Sequence, residues 1–259
     1  MFFFLGVVAG LVYGLTAVGG ALLVAPMLVL VGGLTWPAAI TMTLCILVVL
    51  TTITAGDGIR ARLPRPGEVW PAAVSAALLA PAAVWLIGSL GQPEPALYRW
   101  ALLLGGIAML ASVRLLPVDV LWPRAGLADL RALPSMQPSR TSLAQRLWLA
   151  AGGGLCGLLT GVFGAGGSLA NLPVIGRYQN DEKGRATASS EMAMLPAVIL
   201  AASACIWLGR TADWRDTGLA IFGALAGISV ARMVALRMPL LVWQGLAGLV
   251  AVALAFAIG

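Results

Sequence analysis

One feature constrains the fold of this chain more than any other: an apolar segment broken by paired glycines, present twice. "GLVYGLTAVGGALLVAP" runs from Gly10 to Pro26, and "GLLTGVFGAGGSLANLP" from Gly157 to Pro173, 147 residues later. Seven of the 17 positions are identical without a gap: Gly10/Gly157, Leu11/Leu158, Gly14/Gly161, Gly19/Gly166, Gly20/Gly167, Leu22/Leu169 and Pro26/Pro173. The register persists at "PAAITMT" against "GRATASS", where Ala39 faces Ala186 and Thr43 faces Ser190. The chain is therefore expected to consist of two similar halves, each organised around its own break.

The breaks lie in a chain that reads as membrane protein. Charged residues make up 10% of it and hydrophobic residues 60%, whereas a soluble domain carries about 25% charged residues. Apolar segments recur at 2–33, 36–55, 69–90, 97–116, 147–176, 186–208, 217–237 and 240–258, the pattern of an all-α polytopic membrane protein. The organisation read from this is a first transmembrane repeat at 1–116, a polar, proline-punctuated linker at 117–146 on the cytoplasmic side, and a second repeat at 147–259. The arginines behind the net charge of +6 lie between apolar runs, where orientation in the bilayer accounts for them without nucleic acid. The start "MFFFLG" has neither a basic n-region nor a small-residue cleavage site, so no cleaved signal peptide is expected.

The length of each broken segment matters. Residues 2–33 would make one helix of about 48 Å, against a hydrocarbon core of about 30 Å. Two half-helices folded back at Gly19-Gly20 fit this length, as does one kinked and tilted crossing. Basic residues weigh the two. If each broken segment crosses once, the fifteen arginines and Lys183 divide ten to six between the faces; if each is a re-entrant hairpin they divide thirteen to three, with Arg99, Arg210 and Arg215 outside. Cytoplasmic loops collect Lys and Arg, so the hairpin is favoured. It makes the halves inverted repeats of three transmembrane helices plus one re-entrant segment, a plan common in secondary transporters.

Unpaired backbone groups are tolerated at membrane depth only inside protein or beside a watery cavity. Matching breaks in two halves point to a binding site, and a half-helix starting after Gly19-Gly20 or Gly166-Gly167 would turn free N–H groups and a positive dipole end towards an anion. Gly10/Gly14 and Gly157/Gly161 read instead as close helix packing. Ser168 and Asn171, three residues apart, share a face after Gly167 and can donate to an oxyanion; interhelical hydrogen bonding explains Asn171 equally well. Arg185 opens the next helix, where it attracts an anion or simply obeys the positive-inside bias. Glu191 is an acid inside an apolar segment, a functional hypothesis by default, with a coupling proton or a structural ion pair as its two readings. Thr41, Thr43, Ser189 and Ser190 line a pathway or bond their own backbone. Arg232 is expected to snorkel, and Trp36, Trp70, Trp100, Trp122, Trp148 and Trp243 to anchor at the interfaces.

These residues resemble the TauE/SafE family of membrane permeases, associated with export of sulfite and organosulfonates. The resemblance rests on the two glycine-broken motifs, on "AAITMTL" and "ATASSEM" after them, and on "GALAGISVARMVALRMP" late in the chain. It covers most of the chain and implies a secondary transporter of small anions in the bacterial inner membrane, possible proton coupling included. An uncoupled anion facilitator of the same fold is the alternative. The first half departs from the pattern at Ala21, where a third glycine is common.

Other functions find little support. No histidine is present, and Cys45, Cys156 and Cys205 are scattered in apolar stretches without CxxC spacing, so no metal or other cofactor is expected. An enzyme would want a nucleophile–base pair, and an ATPase a Walker A loop; neither occurs. The expected partners are a sulfur oxyanion or sulfonate and the lipid bilayer.

Overall fold

The computed structural model describes residues 1–16, 20–60, 66–90, 95–115, 142–164, 167, 174–175, 185–210, 213–235 and 240–257. Among these the chain is all-helical. The elements are α1 (Phe2–Thr16), a 3-10 turn (Gly20–Leu23), α2 (Val24–Leu30), α3 (Trp36–Arg60), α4 (Pro66–Leu90), α5 (Pro95–Leu115), α6 (Leu143–Phe163), α7 (Arg185–Trp207), α8 (Trp214–Ala235) and α9 (Leu240–Ala257). Five stretches are long and apolar enough to cross a membrane: Trp36–Arg60, Val69–Ser89, Leu143–Phe163, Thr187–Trp207 and Trp214–Val234. The chain is thus a multi-pass membrane protein, as its composition implies.

Small residues set the packing. A Cβ on Gly6 or Gly10 would lie 2.0 and 2.1 Å from the carbonyl oxygens of Ala220 and Ala224, and one on Gly14 would lie 2.6 Å from the Ala231 methyl. Both series ascend together, so α1 and α8 run parallel with their backbones nearly touching. The positions 147 residues on do the same against α4: Gly153, Gly157 and Gly161 face the carbonyls of Ala72, Ala76 and Ala80 at 2.2, 2.4 and 2.3 Å. The first helix of each half is therefore seated on the third long helix of the other. Gly10, Gly14, Gly157 and Gly161 pack helices, as their spacing suggests.

Two other inter-half pairs run the opposite way. Cys205, near the end of α7, neighbours Thr41 and Cys45 near the start of α3, while Glu191, near the start of α7, neighbours Thr54 near the end of α3. In α5 and α9, Gly106 abuts Gly248, and the Arg99 guanidinium lies 5.9 Å from the Phe256 ring. In these two pairs, helices equivalent under the sequence repeat are antiparallel in space.

The two broken segments begin alike. α1 has 15 residues, about 22 Å of helix and short of the hydrocarbon core. α6 has 21, starting from a Ser142–Gln145 capping box. Its residues 149–163 are the counterparts of α1, and the extra turn and a half before them carries half-buried Gln145 and exposed Arg146. After the break in the first half, α2 ends with the Gly32 backbone near the opening residue of α1: a Cβ there would lie 3.2 Å from the Phe2 ring. Gly33, at φ 67°, then turns the chain into α3.

Candidate functional site

The site begins with a buried carboxyl. Glu191 projects from α7 at 3% exposure, and the Tyr13 hydroxyl of α1, itself 4% exposed, donates a hydrogen bond to its Oε2. This contact joins residues 178 positions apart and bridges the two halves. Thr54 of α3 stands beside the pair, its hydroxyl donating to the Leu50 carbonyl of its own helix at 3.1 Å. The Cys156 thiol of α6 also faces the carboxyl. The other carboxyl oxygen, Oε1, has no hydrogen-bond partner among the described residues, and neither has the neighbouring Ser190 Oγ. A buried polar oxygen without a partner is costly, so the unpaired carboxyl oxygen suits a place where a proton or a ligand is received.

The second break meets the same cluster at Cys156. α6 stops at Gly164, left-handed at φ 70°, whose N–H closes on the Thr160 carbonyl. Gly167 is buried against the same turn: a Cβ there would sit 2.4 Å from Thr160 Oγ1 and 2.6 Å from Cys156 Sγ. Thr160 donates to the Cys156 carbonyl at 2.8 Å. Gly167 and Glu191, expected separately from the sequence, thus approach one residue, Cys156. The absent side chain of Gly167 is what lets its backbone close on the buried Cys156–Thr160 turn.

The other expected residues divide. Gly20 opens the 3-10 turn that runs directly into α2, and Ala21 to Ala25 after it are all buried hydrophobics, so the first break is apolar where it is described. Arg185 is the first residue of α7; its side chain lies outside the described set. Gly19, Gly166, Ser168 and Asn171 also lie outside the described residues. Thr41 and Thr43 donate to the carbonyls of Pro37 and Ala39 in their own helix, the backbone-bonding alternative of the sequence reading. Trp70, Trp100 and Trp148 are largely exposed, as interfacial anchors should be. Trp36 departs from them, its ring centroid 4.2 Å from that of Tyr98. Trp122 and the Trp243 side chain are outside the described set.

Sequence reasoning missed Tyr13 and Asp57. Tyr13 sits inside the first motif and looks like one more apolar residue of α1; only its repeat partner, Thr160, hinted that this position is polar in both halves. Asp57 lies just past the apolar stretch assigned to 36–55 and forms an ion pair with Arg232, so Arg232 has a protein partner where snorkelling was expected. Among the described residues no group of His, Cys, Asp or Glu is suited to hold a metal.

The family model described as sulfite exporter TauE/SafE matches residues 2–258. No curated protein and no solved structure matches the chain.

Proposed function

Because the chain belongs to the sulfite exporter TauE/SafE family of membrane permeases, we propose that it is a secondary transporter exporting sulfite or an organosulfonate, with Glu191 carrying a coupled proton. The observation behind this reading is the buried Tyr13–Glu191 contact between the halves, with Oε1 unpaired and Cys156 lying near both the carboxyl and Gly167. An ionised Glu191 repels an oxyanion placed near Gly167 by about 3 kcal/mol at about 5 Å and an effective dielectric of about 20. A protonated Glu191 turns the same oxygen into a hydrogen-bond donor. One carboxyl therefore ties the presence of the anion to the presence of a proton. Gly19, Gly20, Gly166, Gly167, Ser168, Asn171 and Arg185 complete the proposed substrate site.

In this reading the halves are inverted repeats at 1–116 and 147–259 joined by a cytoplasmic linker at 117–146, and each broken segment is re-entrant. The antiparallel course of α3 with α7 and of α5 with α9 supports it, since repeats entering from opposite faces meet that way. Had each broken segment crossed once, equivalent helices would run parallel. The 15-residue arm α1 and the closeness of Gly32 to Phe2 support the hairpin. The proposed location is the bacterial inner membrane.

Flux in proteoliposomes tests the function, with sulfite, thiosulfate, sulfoacetate and acetate offered in turn, each with and without a proton gradient. Selective, gradient-driven movement of a sulfur anion is the expected result. Selective flux indifferent to the gradient would replace the coupled exporter by a facilitator, and no flux with any of the four would remove the anion reading.

A further inference from the structure

We propose that Arg232 is an anion-capture residue at the cytoplasmic mouth of the pathway, and that Asp57 occupies its guanidinium until a sulfur oxyanion displaces it. This rests on the anion-exporter reading and its topology. Asp57 and Arg232 pair across the halves, from the last turns of α3 and α8, with side chains 45% and 49% exposed. The pair is placed one level outside the buried carboxyl. Asp57 follows Thr54 by three residues, so the two share a face of α3, and Thr54 stands beside Glu191. On α8, Arg232 directly follows Ala231, which packs on Gly14, the neighbour of Tyr13. An anion leaving Arg232 inwards therefore meets the Tyr13–Glu191 contact within about one helical turn.

Two uses of such a pair can be separated by strength. A half-exposed ion pair contributes too little to hold two halves of a transporter shut, which argues against a lock. The same weakness suits an exchangeable partner. A guanidinium presents a planar fork of donors that matches two oxygens of a carboxylate or of a sulfur oxyanion alike, so Asp57 is a fair mimic of the cargo. Arg60, exposed in the same last turn of α3, adds a second positive charge, and the mouth keeps a positive balance with Asp57 in place.

The test reads half-saturation for sulfite and for sulfoacetate at the cytoplasmic face, in inverted membrane vesicles. Arg232→Gln is expected to raise it about tenfold, the scale of one lost charge-assisted contact, and Arg232→Lys to raise it less. Asp57→Asn is expected to lower it about threefold, by removing the competitor. The double variant should match Arg232→Gln. Opposite signs for the two partners of one ion pair are the signature. Equal losses in both variants, or no shift in either, would overturn the capture role while leaving the exporter reading intact, because wild-type flux would persist. Failure of the wild type to move either anion would instead remove the reading beneath it. Size-exclusion profiles in detergent check folding, and Asp57→Ser replaces Asp57→Asn if that variant does not assemble.

Discussion

Two positions in the first half and their counterparts 147 residues on make a revealing comparison. Tyr13 corresponds to Thr160, and Leu44 to Glu191. All four are buried. Yet Tyr13 reaches across the halves to the Glu191 carboxyl, whereas Thr160 turns its hydroxyl back onto the Cys156 carbonyl of its own helix, and Leu44 has nothing to offer a proton. The glycine faces do not diverge in this way: Gly6, Gly10 and Gly14 repeat as Gly153, Gly157 and Gly161 with equivalent alanine seats. Packing has kept the symmetry of the repeat, and polar chemistry has not: Tyr13 and Glu191 meet across the halves, and their counterparts Thr160 and Leu44 form no matching contact. A frame built from two matching parts needs both copies of its close contacts, while a single buried carboxyl is enough to carry one proton.

The symmetric part is the easiest to break. Gly10→Leu and Gly157→Leu each push a side chain into a carbonyl little more than 2 Å from where Cβ would stand. Neither helix can retreat without losing its neighbours, so the cost exceeds the roughly 1–3 kcal/mol typical of overpacking. Both variants should be lost from the monodisperse peak in size-exclusion chromatography, and to a similar degree. Gly56→Ala in α3 is the contrast: nothing lies within 4 Å of its Cβ position, and thermal stability should hold or rise by up to about 1 kcal/mol, as for a helical Gly→Ala change. Survival of Gly157→Leu beside loss of Gly10→Leu would show that the two seats are not equivalent.

The asymmetric part should answer in transport and not in assembly. Glu191→Gln keeps the shape and can still accept from Tyr13, but it carries no proton. Gradient-driven flux in proteoliposomes should fall about tenfold or more, given what a positioned proton-transfer group contributes, while anion exchange at equal pH continues. Leu44→Met, at the position related by the repeat, should leave both within about twofold, since volume-conserving apolar swaps are mild. If Glu191→Gln left gradient-driven flux unchanged, the carboxyl would be structural and the comparison would lose its functional side.

Much of this was legible from the chain because repetition and hydropathy are written along it. The 147-residue offset marked the packing glycines, although it did not say which helices they meet. Burial of an acid in an apolar run singled out Glu191, and glycine pairing singled out Gly167. Their convergence on Cys156 was not legible, since it depends on how α6 turns at Gly164, whose counterpart in the first half is Ala17. Nor was Tyr13 legible as the partner of Glu191. A tyrosine within a glycine-rich apolar helix carries no periodic signal, and a contact spanning 178 residues is fixed only when α1 settles against α8. Asp57 was hidden by its place at a helix end, where a single acid looks like ordinary interfacial polarity.

The smallest expected effect probes the comparison most finely. Tyr13→Phe removes one hydroxyl and leaves Glu191 Oε2 without its donor in a site where Oε1 already lacks one. Stranding a buried polar group costs about 1–3 kcal/mol, so thermal unfolding of the purified protein should fall by a few degrees. Thr160→Val is nearly isosteric and removes a hydroxyl that donates to a carbonyl of its own helix. The carbonyl it leaves is a helix acceptor in its own right, so the loss should stay near or below about 1 kcal/mol. The double variant decides what the difference means. The two losses should add, because the hydroxyls serve different partners, and an excess over about 0.5 kcal/mol would show that the positions are coupled. In that event Thr160 would belong to the proton site through Cys156 and Gly167, and the second half would contribute more than its one carboxyl.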